Sequence, residues 1–171
     1  DTNPLAAVEN RNAGNIDLQA KSISLADGAL VLSTNLFAQG RGGNISIRVS
    51  DSLSLTDGSQ LSVDSSGQGD AGNITIESRD LISLDASYIS SALVSSKEVA
   101  RGQGGDITIN TVSLEATNGS RIDAGTFGEG NSGNVKITET ERAIFDGVDS
   151  NGFSSGAFSL VTEEGRGNGG N

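Results

Sequence analysis

Three acidic residues are the side chains of this sequence best placed to do chemistry. Each directly follows an apolar residue at a corresponding point of an internal repeat, and they are Asp85, Glu115 and Asp146. Successive side chains of a strand point to opposite faces, so the three carboxylates are predicted to face outward and to stack one repeat apart. Carboxylate oxygens are the ligands that Ca²⁺ and Mg²⁺ prefer. The three residues are therefore a candidate weak divalent-cation site, and apart from Ca²⁺ at this site we expect no cofactor.

Two other interpretations of this acidic column stay open. Carboxylates about 5 Å apart repel by only about 0.8 kcal/mol in water-like surroundings, so a solvated anionic face is energetically acceptable. A carboxylate pair at that separation is also typical of a glycosidase. The chain has only five Phe and one Tyr, which leaves few aromatic rings for sugar subsites. The solvated face is the interpretation that we favour.

The composition argues against most other catalytic chemistry and several classes of partner. The 171 residues include no Cys, His, Met or Trp, which excludes thiol and imidazole catalysis and the usual zinc and haem ligands. The formal net charge of −11 disfavours nucleic acid, and no apolar run has the length of a membrane span. We predict no enzymatic activity, no nucleic-acid partner and no membrane insertion. The absence of Met indicates a segment of a longer protein.

One phrase recurs along the chain and defines its repeat units. The first copy is Ala13-Gly14-Asn15-Ile16-Asp17-Leu18, later copies begin near 42, 71, 104 and 132, and a further copy opens at 169. The intervals between the copies are 29, 29, 33, 28 and 37 residues, so the extra residues are predicted to lie in loops. Residues 1–12, with Leu5, Ala7 and Val8 spaced like a strand, are predicted to be a partial coil. The whole chain, 1–171, is predicted to be one segment of a longer repeat array.

Each repeat unit carries apolar residues at every second position, which is the period of a strand. A second apolar pair follows the phrase in each unit, and a third, weaker set follows the turn signals; the third set is Leu30, Leu32, Leu61, Val63, Ile89, Ile122, Phe158 and Leu160. Three short strands cannot bury one apolar face within a single unit, so the units must stack. The sequence therefore predicts an all-β parallel solenoid of about five coils with three short strands each.

Stacking in register predicts columns of like residues along the axis. One inward column is Ile16, Ile45, Ile74, Ile107 and Val135, and another is Leu25, Leu55, Leu84, Leu114 and Phe145. A polar column is predicted to be a structural ladder that satisfies backbone groups at a corner, and its members are Asn15, Asn44, Asn73, Asp106, Asn134 and Asn171. The run from Gly67 to Gly72 spells a dinucleotide-binding motif, but it precedes a strand rather than a helix, so it is interpreted as a corner.

The long corners hold apolar residues that could face either way. They are Leu36, Phe37, Leu93, Val94, Phe127 and Phe153. We expect them to be buried beneath the loops as a satellite cluster. If they are exposed instead, they form an adhesive patch.

The repeat resembles the filamentous-haemagglutinin-like repeats of exoproteins secreted by the two-partner route, in particular the cyanobacterial type. The motifs that carry the resemblance are Gly-Asn-Ile-x-Ile, Ser-Leu-x-Leu-x-Asp-Gly and the passage from Phe145 to Phe153. The resemblance covers nearly the whole chain and implies a right-handed parallel β-helix. It also implies a bacterial protein outside the cell, a role in adhesion, aggregation or a surface stalk, and an outer-membrane transporter as partner of the parent protein.

Together these observations predict a non-catalytic stalk or fibre segment of a secreted surface protein. The expected partners are neighbouring coils, copies of the same chain arranged end to end, and cell-surface or matrix glycans. The alternative is a carbohydrate-binding or carbohydrate-cleaving β-helix, which requires carboxylates in a groove beside aromatic rings.

Overall fold

The computed structural model of the chain describes residues 12–36, 39–94, 99–163 and 165–171. The partial coil predicted before residue 12, with Leu5, Ala7 and Val8, lies outside the described residues, as does Phe37. The described residues form strands, turns and isolated bridges without a helix, and among them no helical segment could span a membrane. The expected all-β class is therefore confirmed.

Thirteen strands follow the predicted units in order. They are β1 (Ile16–Ala20), β2 (Ile23–Leu25), β3 (Leu30–Leu32), β4 (Ile45–Val49), β5 (Leu53–Leu55), β6 (Gln60–Ser62), β7 (Ile74–Ser78), β8 (Leu81–Asp85), β9 (Tyr88–Ser90), β10 (Ile107–Thr117), β11 (Arg121–Asp123), β12 (Val135–Asp146) and β13 (Gly156–Phe158). The first three coils have three strands each. In the fourth and fifth coils, the first two strands merge into the long strands β10 and β12.

All strand pairs are parallel and join each coil to the next. The first sheet runs in the order β1-β4-β7-β10-β8-β5-β2, with β12 also paired to β10, and the second sheet runs β13-β11-β9-β6-β3. Since β10 continues through the positions of two strands, it links the β1-β4-β7 ladder to the β8-β5-β2 ladder. The result is a parallel β-solenoid of about four turns, roughly consistent with the predicted coil count.

The first inward column has the predicted register. Ile16 pairs with Ile45, Ile45 with Ile74, Ile74 with Ile107 and Ile107 with Val135. The three central Ile residues are at most 1% exposed, whereas Ser46, Thr75 and Thr108 between the inward positions are partly exposed. Burial at alternate positions encloses an apolar core between the sheets, and burying each Ile side chain contributes about 1.5–3 kcal/mol.

The second inward column differs from the prediction in the fourth coil. Leu25, Leu55 and Leu84 are in register, but the residue paired with Leu84 is Ala116 rather than Leu114. Leu114 pairs instead with Ile82 on one side and Ala143 on the other. Phe145 pairs with Ala116, so it remains at the end of the Leu84 column. A shift of two residues keeps every side chain on its face, and for that reason both Leu114 and Ala116 are buried.

The third strand also differs in its first and last coils. Its inward column is Val31, Leu61, Ile89, Ile122 and Ala157. Leu30 and Leu32, on either side of Val31, point away from the core and are 57% and 44% exposed. Phe158 likewise follows the inward Ala157. The apolar pairs expected at these two ends of the sheet therefore lie on its outer face.

The corner apolar residues are only partly buried. Leu93 is fully buried, but Leu36, Phe127 and Phe153 are 61%, 42% and 57% exposed. The expectation of a buried satellite cluster is wrong for these three residues. Leu93 differs because it bridges Ser65 and Thr126 in the neighbouring coils, which places it within the stack.

Candidate functional site

The predicted polar column forms a continuous hydrogen-bonded ladder, called here the Asn ladder. In each step a backbone N–H donates to the side-chain oxygen Oδ1 of the corresponding residue in the preceding coil, over 2.8–3.0 Å. Its members are Asn15, Asn44, Asn73, Asp106, Asn134 and Asn171. Two side-chain amides also donate along the ladder, Asn44 to Asn15 and Asn134 to Asp106. The structure therefore brings all six predicted residues together, at the start of each first strand.

A second ladder lies three residues earlier at the same corner and was missed from the sequence. Arg41 N–H donates to Asn12 Oδ1, Gln103 N–H to Asp70 Oδ1 and Asn131 N–H to Gln103 Oε1. Asn168 N–H extends it by donating to Asn131. The Arg41 side chain has no oxygen that could accept the next hydrogen bond of this ladder. Its Nε instead forms an ion pair with Asp70 Oδ2 at 3.2 Å. The available signal was the recurrence of Asn, Asp or Gln three positions before each Asn-ladder residue.

The glycine before each Asn-ladder residue from Asn44 onward is required by the close approach of coils. A Cβ atom on Gly43, Gly72, Gly105, Gly133 or Gly170 would lie 2.5–2.7 Å from the carbonyl carbon of the glycine in the preceding coil, well inside ordinary contact distance. The predicted corner at residues 67–72 contains Gly69 with φ +154°. These glycines allow the backbones to stack closely enough for the ladders to form.

The acidic column does not have the predicted arrangement. Asp85 is in register with Thr117, and Thr117 is in register with Asp146, so a hydroxyl side chain separates the two carboxylates. Glu115 pairs with Ser83 and Ile144 instead. The cause is the two-residue register shift already seen at Leu114. Asp85, Glu115 and Asp146 therefore do not stack one coil apart.

Two of these carboxylates have protein partners. Asp85 Oδ1 accepts hydrogen bonds from Thr117 Oγ1 at 3.1 Å and from Asn118 Nδ2 at 2.6 Å. Glu115 forms an ion pair with Arg142. Within the described residues, no group of three or more Asp, Glu, His or Cys side chains could hold a metal ion.

The outer face of the second sheet groups carboxylates with aromatic rings. Asp64 Oδ1 accepts hydrogen bonds from Ser90 Oγ at 2.6 Å and from Ala92 N–H at 2.7 Å. One coil from Ser90 lies Asp123, which accepts a hydrogen bond from Gly125 N–H at 2.8 Å. This arrangement was not anticipated, because Asp64 and Asp123 occupy different positions of the repeat.

A cation and two phenyl rings lie beside Asp123. The Arg121 guanidinium is 3.8 Å from Asp123 Oδ2, and its central carbon is 4.6 Å from the Phe158 ring centre and 5.9 Å from that of Phe153. Burial raises the pKa of Asp123, and this effect outweighs the opposing effects of the Gly125 N–H and Arg121. The face thus combines a charge held in partly dry surroundings with apolar rings.

The corner loop at residues 147–155 brings Phe153 to this face. Val148 and Ser154 form an antiparallel bridge, and Asp149 accepts hydrogen bonds from the N–H groups of Asn151 and Phe153 at 2.8 and 2.9 Å. Hydrogen bonding to the Phe153 N–H is the main reason why the pKa of Asp149 is lowered. The ionised carboxylate therefore holds the turn that positions the ring.

A groove runs along the solenoid at the corner after the first strand of each coil, and it is called here the axial groove. One side is the in-register column Gln19, Arg48, Glu77, Asn110 and Thr138. The groove encloses about 710 Å³, and Val49, Ser78 and Thr111 are buried residues in its lining. Since five coils contribute, the groove extends for roughly 19 Å at about 4.8 Å for each coil.

The charges of the axial groove are unusual for this chain. Its lining includes three cations, Lys21, Arg48 and Arg79, but only one carboxylate, Glu77. Arg48 Nε lies 3.4 Å from Glu77 Oε2, whereas Lys21 and Arg79 are exposed and form no ion pair with the described residues. A net positive groove therefore lies on a protein whose formal net charge is −11.

Comparisons with known proteins give no match, whether the chain is compared with family models, with curated proteins or with solved structures. The fold and the polar ladders stand on the structure itself. The resemblance to filamentous-haemagglutinin-like repeats remains a prediction.

Proposed function

We propose that this chain is a structural segment of an extended β-helical stalk or fibre that a bacterium displays outside the cell. The observation that carries the proposal is the Asn ladder, whose steps from Asn15 to Asn171 tie each coil only to its neighbours. A solenoid with nearest-neighbour contacts lengthens by adding coils while its cross-section stays unchanged. Reach along one axis is the property that a stalk requires.

Adhesion by the flanks of the stalk is the second part of the proposal. Leu36 and Phe153 are large apolar side chains in corner loops, and both are more than half exposed. Such residues lose water on contact with another surface, which favours association. Cell-surface or matrix glycans and other copies of the chain, stacked end to end, are the partners that we propose.

The extracellular location rests on the resemblance given above. It supports secretion by the two-partner route, with an outer-membrane transporter acting on the parent protein. Antibodies raised against this segment should label intact cells that produce the protein. Labelling that requires permeabilised cells would contradict the location.

Duplication of one coil tests the stalk architecture directly. A second copy of residues 42–70 inserted after residue 70 should fold, because the new coil offers the same ladder groups on both sides. Small-angle scattering should then show a rod longer by about 4.8 Å, with thermal stability at least equal to that of the parent. The matched control inserts the same 29 residues in scrambled order and should lose both properties. A duplicated variant that unfolds, or that stays folded without lengthening, would overturn the proposal.

A second candidate function, polysaccharide cleavage, is favoured by the outer face of the second sheet. There Asp123 has a raised pKa and Phe153 and Phe158 lie beside Arg121, a combination typical of acid catalysis on sugars. Release of reducing ends from polysaccharides, abolished in Asp123→Asn, would support cleavage. Equal activity in the wild type and the variant would exclude Asp123 from the cleavage reaction and would leave the proposal of a non-catalytic stalk unchanged.

A further inference from the structure

We infer that the axial groove binds an extended acidic polysaccharide, a linear chain of uronic acid residues, along the solenoid. The inference deepens the adhesive role proposed above and rests on it for the source of the glycan. The binding site itself stands on the geometry and charge of the groove.

The shape of the groove fits a linear polymer. The column from Gln19 to Thr138 offers one polar side chain per coil, and each coil advances about 4.8 Å. That rise is close to the length of one pyranose ring in an extended polysaccharide. A sugar chain lying parallel to the axis therefore meets an amide, guanidinium, carboxylate or hydroxyl group at each successive residue.

The charge of the groove selects carboxylated sugars. Lys21 and Arg79 are exposed cations without an ion-pair partner among the described residues, and they lie on the same corner two coils apart. Four carboxylates adjoin lining residues in sequence without lining the groove themselves, namely Asp51, Asp80, Glu139 and Glu141. Carboxylates on alternate sugar residues would pair with Lys21 and Arg79, since each exposed pair adds modest affinity and several along one polymer add avidity.

Nucleic acid fits the groove less well than a uronate chain. The lining residues include no aromatic side chain on which bases could stack. A uronate chain has many hydroxyl groups, which suit Asn110, Thr138 and the other polar groups of the groove.

Binding is tested by titrating the 171-residue chain with oligogalacturonate at low ionic strength. Lys21→Gln combined with Arg79→Gln should weaken the affinity by roughly fivefold to tenfold. The matched control is Arg101→Gln with Arg166→Gln, which removes the same charge at the corner before the first strand and should leave the affinity within about twofold. Glu77→Gln removes the one carboxylate of the groove and should strengthen binding.

Titrations with other ligands and at other salt concentrations distinguish uronate binding from non-specific binding. A neutral oligogalactoside of the same length should bind at least tenfold more weakly than oligogalacturonate, and added salt should weaken uronate binding. Absence of uronate binding, equal binding of the neutral sugar, tighter binding of a single-stranded oligonucleotide, or equal losses in the two double variants would each overturn the inference. Unchanged melting curves would show that the variants are folded. The coil-duplication test is independent of the groove, so failure here leaves the stalk proposal intact.

Discussion

Replacing Gly72 by Ala should strongly destabilise the solenoid, because at this glycine the backbones of two neighbouring coils approach too closely to admit a Cβ atom. A Cβ atom at Gly72 would stand 2.6 Å from the Gly43 carbonyl carbon and 3.1 Å from Val63 Cβ. The first distance is roughly 1 Å shorter than an ordinary contact. Both nearby atoms belong to buried parts of the stack, so the clash cannot be relieved by rotation of a flexible side chain. The coils must move apart at this corner.

The loss of stability can be estimated from the packing and the hydrogen bonds that this separation disrupts. Overpacking of a core typically costs about 1–3 kcal/mol. Separation would also weaken the hydrogen bonds from Gly72 N–H to Val63 and from Ile45 N–H to Asn73, each worth about 1 kcal/mol. We therefore expect a loss of about 3–5 kcal/mol in the free energy of unfolding. For a chain of this size, that corresponds to a decrease of roughly 6–20 °C in the melting temperature.

Far-UV circular dichroism during thermal and urea unfolding measures the effect. The matched control is Gly14→Ala in the same column, where a Cβ would meet no described atom within 4 Å. The control should change stability by less than about 1 kcal/mol. A Gly72→Ala variant that melts within about 2 °C of the wild type would refute the argument from coil spacing.

Three further predictions concern polar groups. Asn73→Ala removes the acceptor of the Asp106 N–H and should lower the free energy of unfolding in urea by about 0.5–1.5 kcal/mol. The control is Asn171→Ala, which should lower it far less because the Asn171 side chain accepts no ladder bond from the described residues. Equal losses in the two variants would contradict the stabilising role of the ladder. Asp123→Asn should stabilise the protein at pH 7, because the raised pKa means that the ionised carboxyl opposes folding. This advantage should shrink as the pH falls through the folded-state pKa towards the ordinary value of 3.8. A pH-independent difference in melting temperature would show that burial does not raise the pKa of Asp123. With Thr117 between Asp85 and Asp146, CaCl₂ and NaCl at equal ionic strength should shift the melting temperature equally, whereas a larger shift in CaCl₂ would restore the cation-site hypothesis.

Where the repeat phrase is intact, the sequence determined the structure closely. The Gly-Asn-Ile phrase sets the register of Ile45, Ile74 and Ile107, because each copy presents the same apolar spacing to its neighbour. The same regularity predicted the Asn ladder, since side chains of one type at one position must stack. These predictions needed only the period of two along a strand and the period of the repeat.

The errors arose where two alignments satisfy the same pattern. Pairing Leu84 with Leu114 or with Ala116 places apolar residues inward in both cases, because a shift of two residues preserves the alternation. The two alignments differ only in the three-dimensional pairing of the strands, and the observed pairing moves Glu115 away from Asp85. The axial groove escaped prediction for another reason: its cations, Lys21, Arg48 and Arg79, do not recur at one position in successive coils, so no column of like residues marked the groove.

The direction of the Asn ladder has a consequence for how the protein folds. At every step the later coil supplies the N–H donor and the earlier coil supplies the side-chain acceptor, as Asn44 does for Asn73. A completed coil therefore presents side-chain oxygen acceptors to the N–H groups of the coil that follows it in sequence. During emergence of the chain from its amino end, each finished coil can serve as a template on which the following one condenses. If folding proceeded from the carboxyl end, the N–H donors would be in place first. The side chains of a coil that is not yet folded would then have to orient towards them.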